Sequence, residues 1–263
     1  MESKLDPNLV KYNKQQWQEI AKRDYNERDN LSSSAVLIDD IIVSIFASEQ
    51  KGITVLDYGA GTGIQSRRIS KYVKEVISYE PIQEMKEIMI SRTNNNLYNN
   101  INLTDNINYV NNLKNIDYIV CSRVFEHVEN IPKMLKEFSS ILSSKKGKLI
   151  LTLSHPIKFS GDWKKDKRGE YICYEIYNYF NEGKIHRSRE DSEGQLLIQD
   201  VYIYHRTIST YFNWIRENGF SINKMHEPVP NNSIKNTIPK LYNRLSSIPN
   251  CLILECSLNL NDS

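Results

Sequence analysis

Residues 55–63 read VLDYGAGTG, an apolar run that ends in an acid, Asp57, and then three glycines at alternate positions, Gly59, Gly61 and Gly63. Apolar residues closed off by glycines mark a short buried strand. A glycine turn after a strand lets the backbone approach a ligand closely, because no Cβ intervenes. The residues that follow, IQSRRISKYV (64–73), read as a helix, so the loop lies at a helix N-terminus, where free N–H groups favour an anionic group. The spacing is not that of a dinucleotide loop, G-x-G-x-x-G, since its third glycine position, residue 64, is Ile. No Gly-Lys-Ser/Thr follows, which excludes a P-loop. Asp57 would repel an incoming pyrophosphate and suits a ligand with an ammonium group.

Strand and helix signals alternate outward from this loop. ITVLDY (53–58), EVISYE (75–80), NIDYIVCS (115–122) and KLILTLS (148–154) read as strands. Helices are predicted over 13–29, 33–49, 64–73 and 81–90, the last with Pro81 near its first turn, where a missing N–H costs little. Asn130 and Pro132 open another, with Met134, Leu135, Phe138, Ile141 and Leu142 on one face, stopped by Gly147. This alternation predicts an α/β fold with a mainly parallel sheet covered by helices on both faces. Residues 155–205 break the pattern with tyrosines and mixed charge and read as an insertion of short strands and loops. A helix striped by Ile208, Tyr211, Phe212 and Ile215 follows and ends at Asn218-Gly219. FSINKMHEPV (220–229) and CLILECSLN (251–259) read as two last strands.

Composition bounds the function. With 263 residues the chain can bury a substantial core. It carries 34 basic and 32 acidic residues, a net charge of +2, without the basic excess of a dedicated nucleic-acid binder. Four scattered cysteines fit neither a disulfide scaffold nor a zinc site and suit the cytoplasm. Neither a signal peptide nor a run of about 18 apolar residues is seen, so no membrane span is expected. Ten asparagines between 94 and 112 read as surface-loop bias.

S-adenosylmethionine meets the demands of the loop. Its methionine end carries a carboxylate for the glycine N–H groups and an ammonium for Asp57. A second acid, Glu80, ends the next strand, where a carboxylate can accept both ribose hydroxyls. VLDYGAGTG together with VISYEPIQEM (76–85) resembles the class I S-adenosylmethionine-dependent methyltransferases, most closely their type-11 branch of quinone-biosynthesis and natural-product enzymes. TDNINYVNNLKNIDYIVCSRVFEHVEN (104–130) resembles the stretch from the adenine-contacting acid to the fourth-strand motif. The likeness covers most of residues 50–258 and is weakest across 156–200. It implies a Rossmann-like sheet of seven strands, all parallel but the last. It implies that Asp105, with Asn106 beside it, reaches the adenine amino group, and that Ser122 lines the methionine end. Ile82 is counted with Glu80 as a cofactor contact. The chain is then one methyltransferase domain. Residues 1–50 form an N-terminal helical lid, with Tyr25 over the cofactor and Trp17 packing. Residues 51–154 form the core, 155–205 the substrate lid and 206–263 the closing helix and strands.

The chemistry is an in-line displacement at a sulfonium methyl, in which the enzyme aligns a nucleophile and excludes water. Histidine titrates near neutrality, so His127 and His155 are the candidate bases or acceptor contacts. Each follows a strand at the ligand-facing end. The plain alternative for His127 is a residue that fixes its loop. His205 is a candidate substrate contact, against a cap or ion-pair role. Across 155–200 eight basic residues face nine acidic ones, so no anion-binding patch is read there. Trp163 and Tyr177 are the candidate aromatic walls of the lid, since half of an alternating strand should face inward. The acceptor is expected to be a small molecule or short peptide, methylated on O, N or C. The alternatives are an RNA or protein methyltransferase and a non-catalytic S-adenosylmethionine-binding protein. A nicotinamide oxidoreductase is disfavoured by the glycine spacing and Asp57.

Overall fold

The computed structural model describes residues 15, 17, 18, 21, 36–49, 52–94, 96–143, 147–190 and 196–259. A sheet of seven strands organises the chain. Its strands are β1 (Thr54–Tyr58), β2 (Glu75–Tyr79), β3 (Ile101–Thr104), β4 (Tyr118–Ser122), β5 (Lys148–Ser154), β10 (Phe220–His226) and β11 (Cys251–Leu258), in the order β10-β11-β5-β4-β1-β2-β3. Neighbours from β5 to β3 pair parallel, and β11 runs antiparallel between β5 and β10. The chain order reverses beside β1, since β2 lies to one side of it and β4 to the other. A crevice at the carboxyl ends of such strands is where doubly wound sheets bind ligands.

Alternation along the strands builds a core on each face. Leu56, Ile119, Cys121, Leu149, Leu151 and Leu153 point to one side and join Leu135, Phe138 and Ile215. Val55, Tyr118, Val120, Ile150 and Ile253 point to the other and join Ile38, Ile42, Phe46, Leu241 and Leu245. These partners come from Ile38 and the helix it precedes, α1 (Asp39–Ala47), and from α5 (Ile131–Ile141), α6 (Ile208–Glu217) and α7 (Pro239–Ser247). Burial of each such side chain stabilises by about 1.5–3 kcal/mol. Leu135→Ala, at a fully buried position, would cost about 2–5 kcal/mol. Asn130 caps α5 by accepting from Lys133 N–H at 3.0 Å, as its sequence position predicts. Among the described residues no helix is long and apolar enough to cross a membrane.

Several local expectations change. The helix after the glycine loop, α2 (Ile64–Ile69), is shorter than read; most of the helix read over 13–29, and residues 33–35 of the one read over 33–49, lie outside the described residues. Pro81 lies outside the next helix, α3 (Gln83–Thr93). The short β3, the helix α4 (Ile107–Asn111) after it, and α7 were not read as separate elements. Residues 155–205 form two hairpins, β6 (Gly161–Lys165) with β7 (Tyr171–Ile176) and β8 (Gly183–Glu190) with β9 (Leu196–His205). Neither hairpin joins the main sheet. Trp17 and Ala21 of the N-terminal segment meet Met85 and Ile88 of α3, Phe159, Ile185 of β8 and Ile203 of β9 in a small separate apolar cluster. That cluster draws the N-terminal segment and the insertion together at the helix that follows β2.

Candidate functional site

The glycine loop is held by its own backbone. Gly59 and Ala60 N–H both donate to Tyr79 C=O at 2.9 Å, which ties the end of β1 to the end of β2. Gly59 and Gly63 lie at φ +78° and +77°, and a Cβ on either would run into Val124 or Met89. Gly61, at φ +58°, differs: a Cβ there would meet nothing within 4 Å. Gly59 and Gly63 are thus required by packing, and Gly61 faces open space.

Glu80 sits beside that space. Its Oε2 accepts from Gly61 N–H at 2.7 Å and its Oε1 from Ile82 N–H at 2.8 Å. Burial pushes its carboxyl up to about 7, against those two N–H groups. Asp57, also buried, accepts from the Ser66 hydroxyl of α2, and Ser66 meets the Ser78 hydroxyl at 2.8 Å. Burial lifts Asp57 to about 6. Its carboxylate therefore braces α2 against β1 and β2 and faces the interior. Ile82 contributes its N–H to Glu80 and its side chain to the apolar cluster of the N-terminal segment.

Asp105, one residue past β3, is exposed and ion-paired with Lys86 of α3, which holds its carboxyl below the usual range. Asn106 uses its side chain to cap α4, accepting from Asn108 N–H at 3.0 Å and Tyr109 N–H at 3.2 Å. Its own N–H donates to the Thr104 hydroxyl at 3.1 Å. The Ser122 hydroxyl, at the end of β4, pairs with that of Thr152 at 2.7 Å. Tyr25 lies outside the described residues.

Past β4 the chain turns sharply. Arg123 adopts φ +60°, a costly conformation for a residue with a side chain. Its Nε donates to Oε1 of buried Glu126 at 2.9 Å, and the Ser154 hydroxyl donates to the same oxygen at 3.0 Å. Burial opposes the charge on Glu126, yet Arg123 and His127 keep its pKa below the ordinary value. His127, half-buried, lies edge-on to Trp17 with ring centroids 5.0 Å apart. Arg206, buried at the end of the insertion, donates to the carbonyls of Phe125, Val128 and Glu129 at 3.1, 2.6 and 2.8 Å. Sequence reasoning did not single out Arg206, Arg123, Glu126 or Lys86. A basic or acidic residue in a loop gives no local sign that it will be buried.

The remaining candidates divide. His155 is buried; its Nδ1 accepts from Ile157 N–H at 3.2 Å, so its Nε2 carries the proton and faces Glu227 at 3.0 Å. Burial lowers its pKa, with Glu227 acting the other way. The Nδ1 lone pair is committed to Ile157 N–H in this arrangement and is not open to take a proton. His205 is buried, with Nε2 on Tyr179 C=O at 2.8 Å, so that nitrogen is the donor. Trp163 packs edge-on against Tyr171 and Tyr174, each at 5.3 Å, while Tyr177 is exposed with its hydroxyl on Asp162. Both tyrosines of β7 are thus spent on Trp163, Tyr171 also lying against Arg244 of α7 and the Tyr174 hydroxyl donating to the carbonyls of Ile157, Lys158 and Gly161.

Comparison with known proteins agrees with this architecture. None of the curated proteins matches the chain in sequence. A protein of Listeria monocytogenes described as an S-adenosylmethionine-dependent methyltransferase superposes with a TM-score of 0.68 at 21% identity, over 84% of this chain and 96% of its own. An S-adenosylmethionine-dependent methyltransferase of Mesorhizobium loti gives 0.62 at 20% identity, over 82% and 95%. The N-methyltransferase NodS of Bradyrhizobium japonicum, in complex with S-adenosyl-L-homocysteine, gives 0.59 at 10% identity, over 94% and 98%. These likenesses show the fold. The model of a methyltransferase domain matches residues 31–192, more than half of the sequence, and the chain belongs to that methyltransferase-domain family.

Proposed function

We propose that the chain binds S-adenosylmethionine at the ends of β1 to β3 and passes its methyl group to an O, N or C atom of a small metabolite or short peptide. The observation that carries this reading is Glu80. Its two oxygens are fixed by the N–H groups of Gly61 and Ile82, beside a glycine whose missing Cβ leaves open space. A carboxylate oriented in this way retains lone pairs for two adjacent hydroxyls, as on a ribose. Glu80 suits the ribose hydroxyls and Asp105 an amino group, while the N–H groups of Gly59, Gly61 and Gly63 donate to Tyr79 C=O, Glu80 and Ala60 C=O and hold the loop in shape.

When bound, the cofactor supplies an electrophilic methyl. The chain supplies position. The Glu126 ion pair and the Arg206 contacts fix the turn after β4, where an acceptor would lie. Trp17 and the insertion exclude water. His127 is the candidate acceptor contact, being only half-buried, whereas His155 holds the loop after β5. His205, Trp163 and Tyr177 belong to the lid over the acceptor in this reading, and residues 155–205 set which acceptor fits. The near-neutral insertion favours a small acceptor over a nucleic acid, and the cysteines suit the cytoplasm. Incubating the protein with methyl-labelled S-adenosylmethionine and fractionated small metabolites tests this. Label should enter a small-molecule fraction with stoichiometric S-adenosylhomocysteine. Label confined to RNA or protein would overturn the acceptor class.

A further inference from the structure

We propose that Lys86 is a second reader of the cofactor's adenine, donating to a ring nitrogen next to the amino group that Asp105 would receive. This rests on the cofactor reading above. Asp105 and Lys86 form an ion pair that joins the end of β3 to α3. The Lys86 side chain is only 18% exposed, against 52% for Asp105, so its stem is packed and its ammonium is held in place.

The main-chain donor beside Asp105 is already taken, since Asn106 N–H donates to the Thr104 hydroxyl at 3.1 Å. The Asn106 side chain is committed to the start of α4. A donor next to the Asp105 carboxylate is therefore supplied by Lys86. Adenine presents an amino donor with a ring-nitrogen acceptor on either side of it, N1 on one edge and N7 on the other. The Asp105–Lys86 pair presents an acceptor beside a donor, which is the complement of that edge. An ammonium has three N–H groups and a carboxylate about four lone-pair directions, so the ion pair can persist while each partner also meets the base.

The test is calorimetric titration of the full chain and of Lys86→Met with S-adenosylhomocysteine and with its 1-deaza and 7-deaza analogues, each of which lacks one ring nitrogen. The native protein should bind one deaza analogue about tenfold more weakly than the parent, the size of one charge-assisted hydrogen bond. Lys86→Met should bind the parent about tenfold more weakly and show no further loss with that analogue. Equal deaza penalties in both proteins would overturn the role of Lys86 and leave the cofactor reading intact. So would tighter binding by Lys86→Met, which would make Lys86 a competitor for Asp105. Failure of the native protein to bind S-adenosylhomocysteine would overturn the cofactor reading itself.

Discussion

The ends of β1 and β2 and the insertion at 155–205 solve opposite problems. At the first, buried Asp57 and Glu80 are fixed by hydroxyls and main-chain N–H groups. The second exposes Ile172 and Ile176 on β7 and Tyr177 and Phe180 between its two hairpins, which join no larger sheet. A site organised in advance loses little freedom when its ligand binds. Exposed apolar residues beside a site leave surface for a second ligand, which is the part the proposed reading gives to the acceptor. In the proposed reading the first region holds the cofactor and the second selects the acceptor.

The largest expected effect lies at the joint between the two regions. Arg206 spans three carbonyls of the turn after β4 and lies 5.0 and 5.2 Å from the rings of Tyr204 and Trp214. Arg206→Met should cost about 3–5 kcal/mol by denaturant unfolding, because it strands one buried and two part-buried acceptors and removes a buried side chain. A loss under about 1 kcal/mol would mean that the regions are not coupled through this residue. Next come paired glycines. Gly59→Ala should cost about 2–4 kcal/mol, since it adds a clash with Val124 to the left-handed strain. Gly169→Ala, at φ +80° with nothing near its Cβ, should cost only about 1–2 kcal/mol. Equal losses would erase the contrast between a packed loop and an open one.

A pH effect sharpens the comparison further. The carboxyls of Asp57 and Glu80 rise from 3.8 and 4.5 to about 6 and 7 on burial. The unfolded chain gives up these protons first, so the folded protein holds more protons between those values. The stability the two groups contribute is full below their unfolded pKa values and is lost as pH rises to about 7. Stability measured at a series of pH values should show this fall for the ligand-free protein, and Glu80→Gln should remove the upper part of it. An unchanged slope in the variant would show that Glu80 is ionised throughout. The smallest effect is expected in the insertion. Tyr177→Phe should change stability by less than about 0.5 kcal/mol, as for an exposed residue. If the lid reading holds, it should raise KM for the acceptor and leave KM for the cofactor unchanged. Equal rises in both would place Tyr177 elsewhere.

Sequence patterns disclosed the sheet because its strands are buried on both faces, as the continuous apolar runs around Leu56, Ile119 and Leu151 imply. They missed β3, whose four residues include Asn102 and lie among asparagines that disfavour strands. They missed α7 because only Leu241 and Leu245 mark its buried face. That Glu80 lies beside the glycine loop was legible from spacing alone. The committed state of His155 was not; nor was that of Asn106, which caps α4 as Asn130 caps α5, because α4 itself was not read. Nor was Arg206, whose three partners lie 77 to 81 positions away.

The central claim is that Glu80 and the glycine loop form a site for S-adenosylmethionine. Calorimetric titration of the native protein and of Glu80→Gln with S-adenosylhomocysteine and with NAD tests it most directly. The account predicts binding of S-adenosylhomocysteine, weakened about tenfold to a hundredfold in the variant, the size of a hydrogen bond to a charged group, and no binding of NAD. Binding of NAD, or equal affinity of both proteins for S-adenosylhomocysteine, would contradict it.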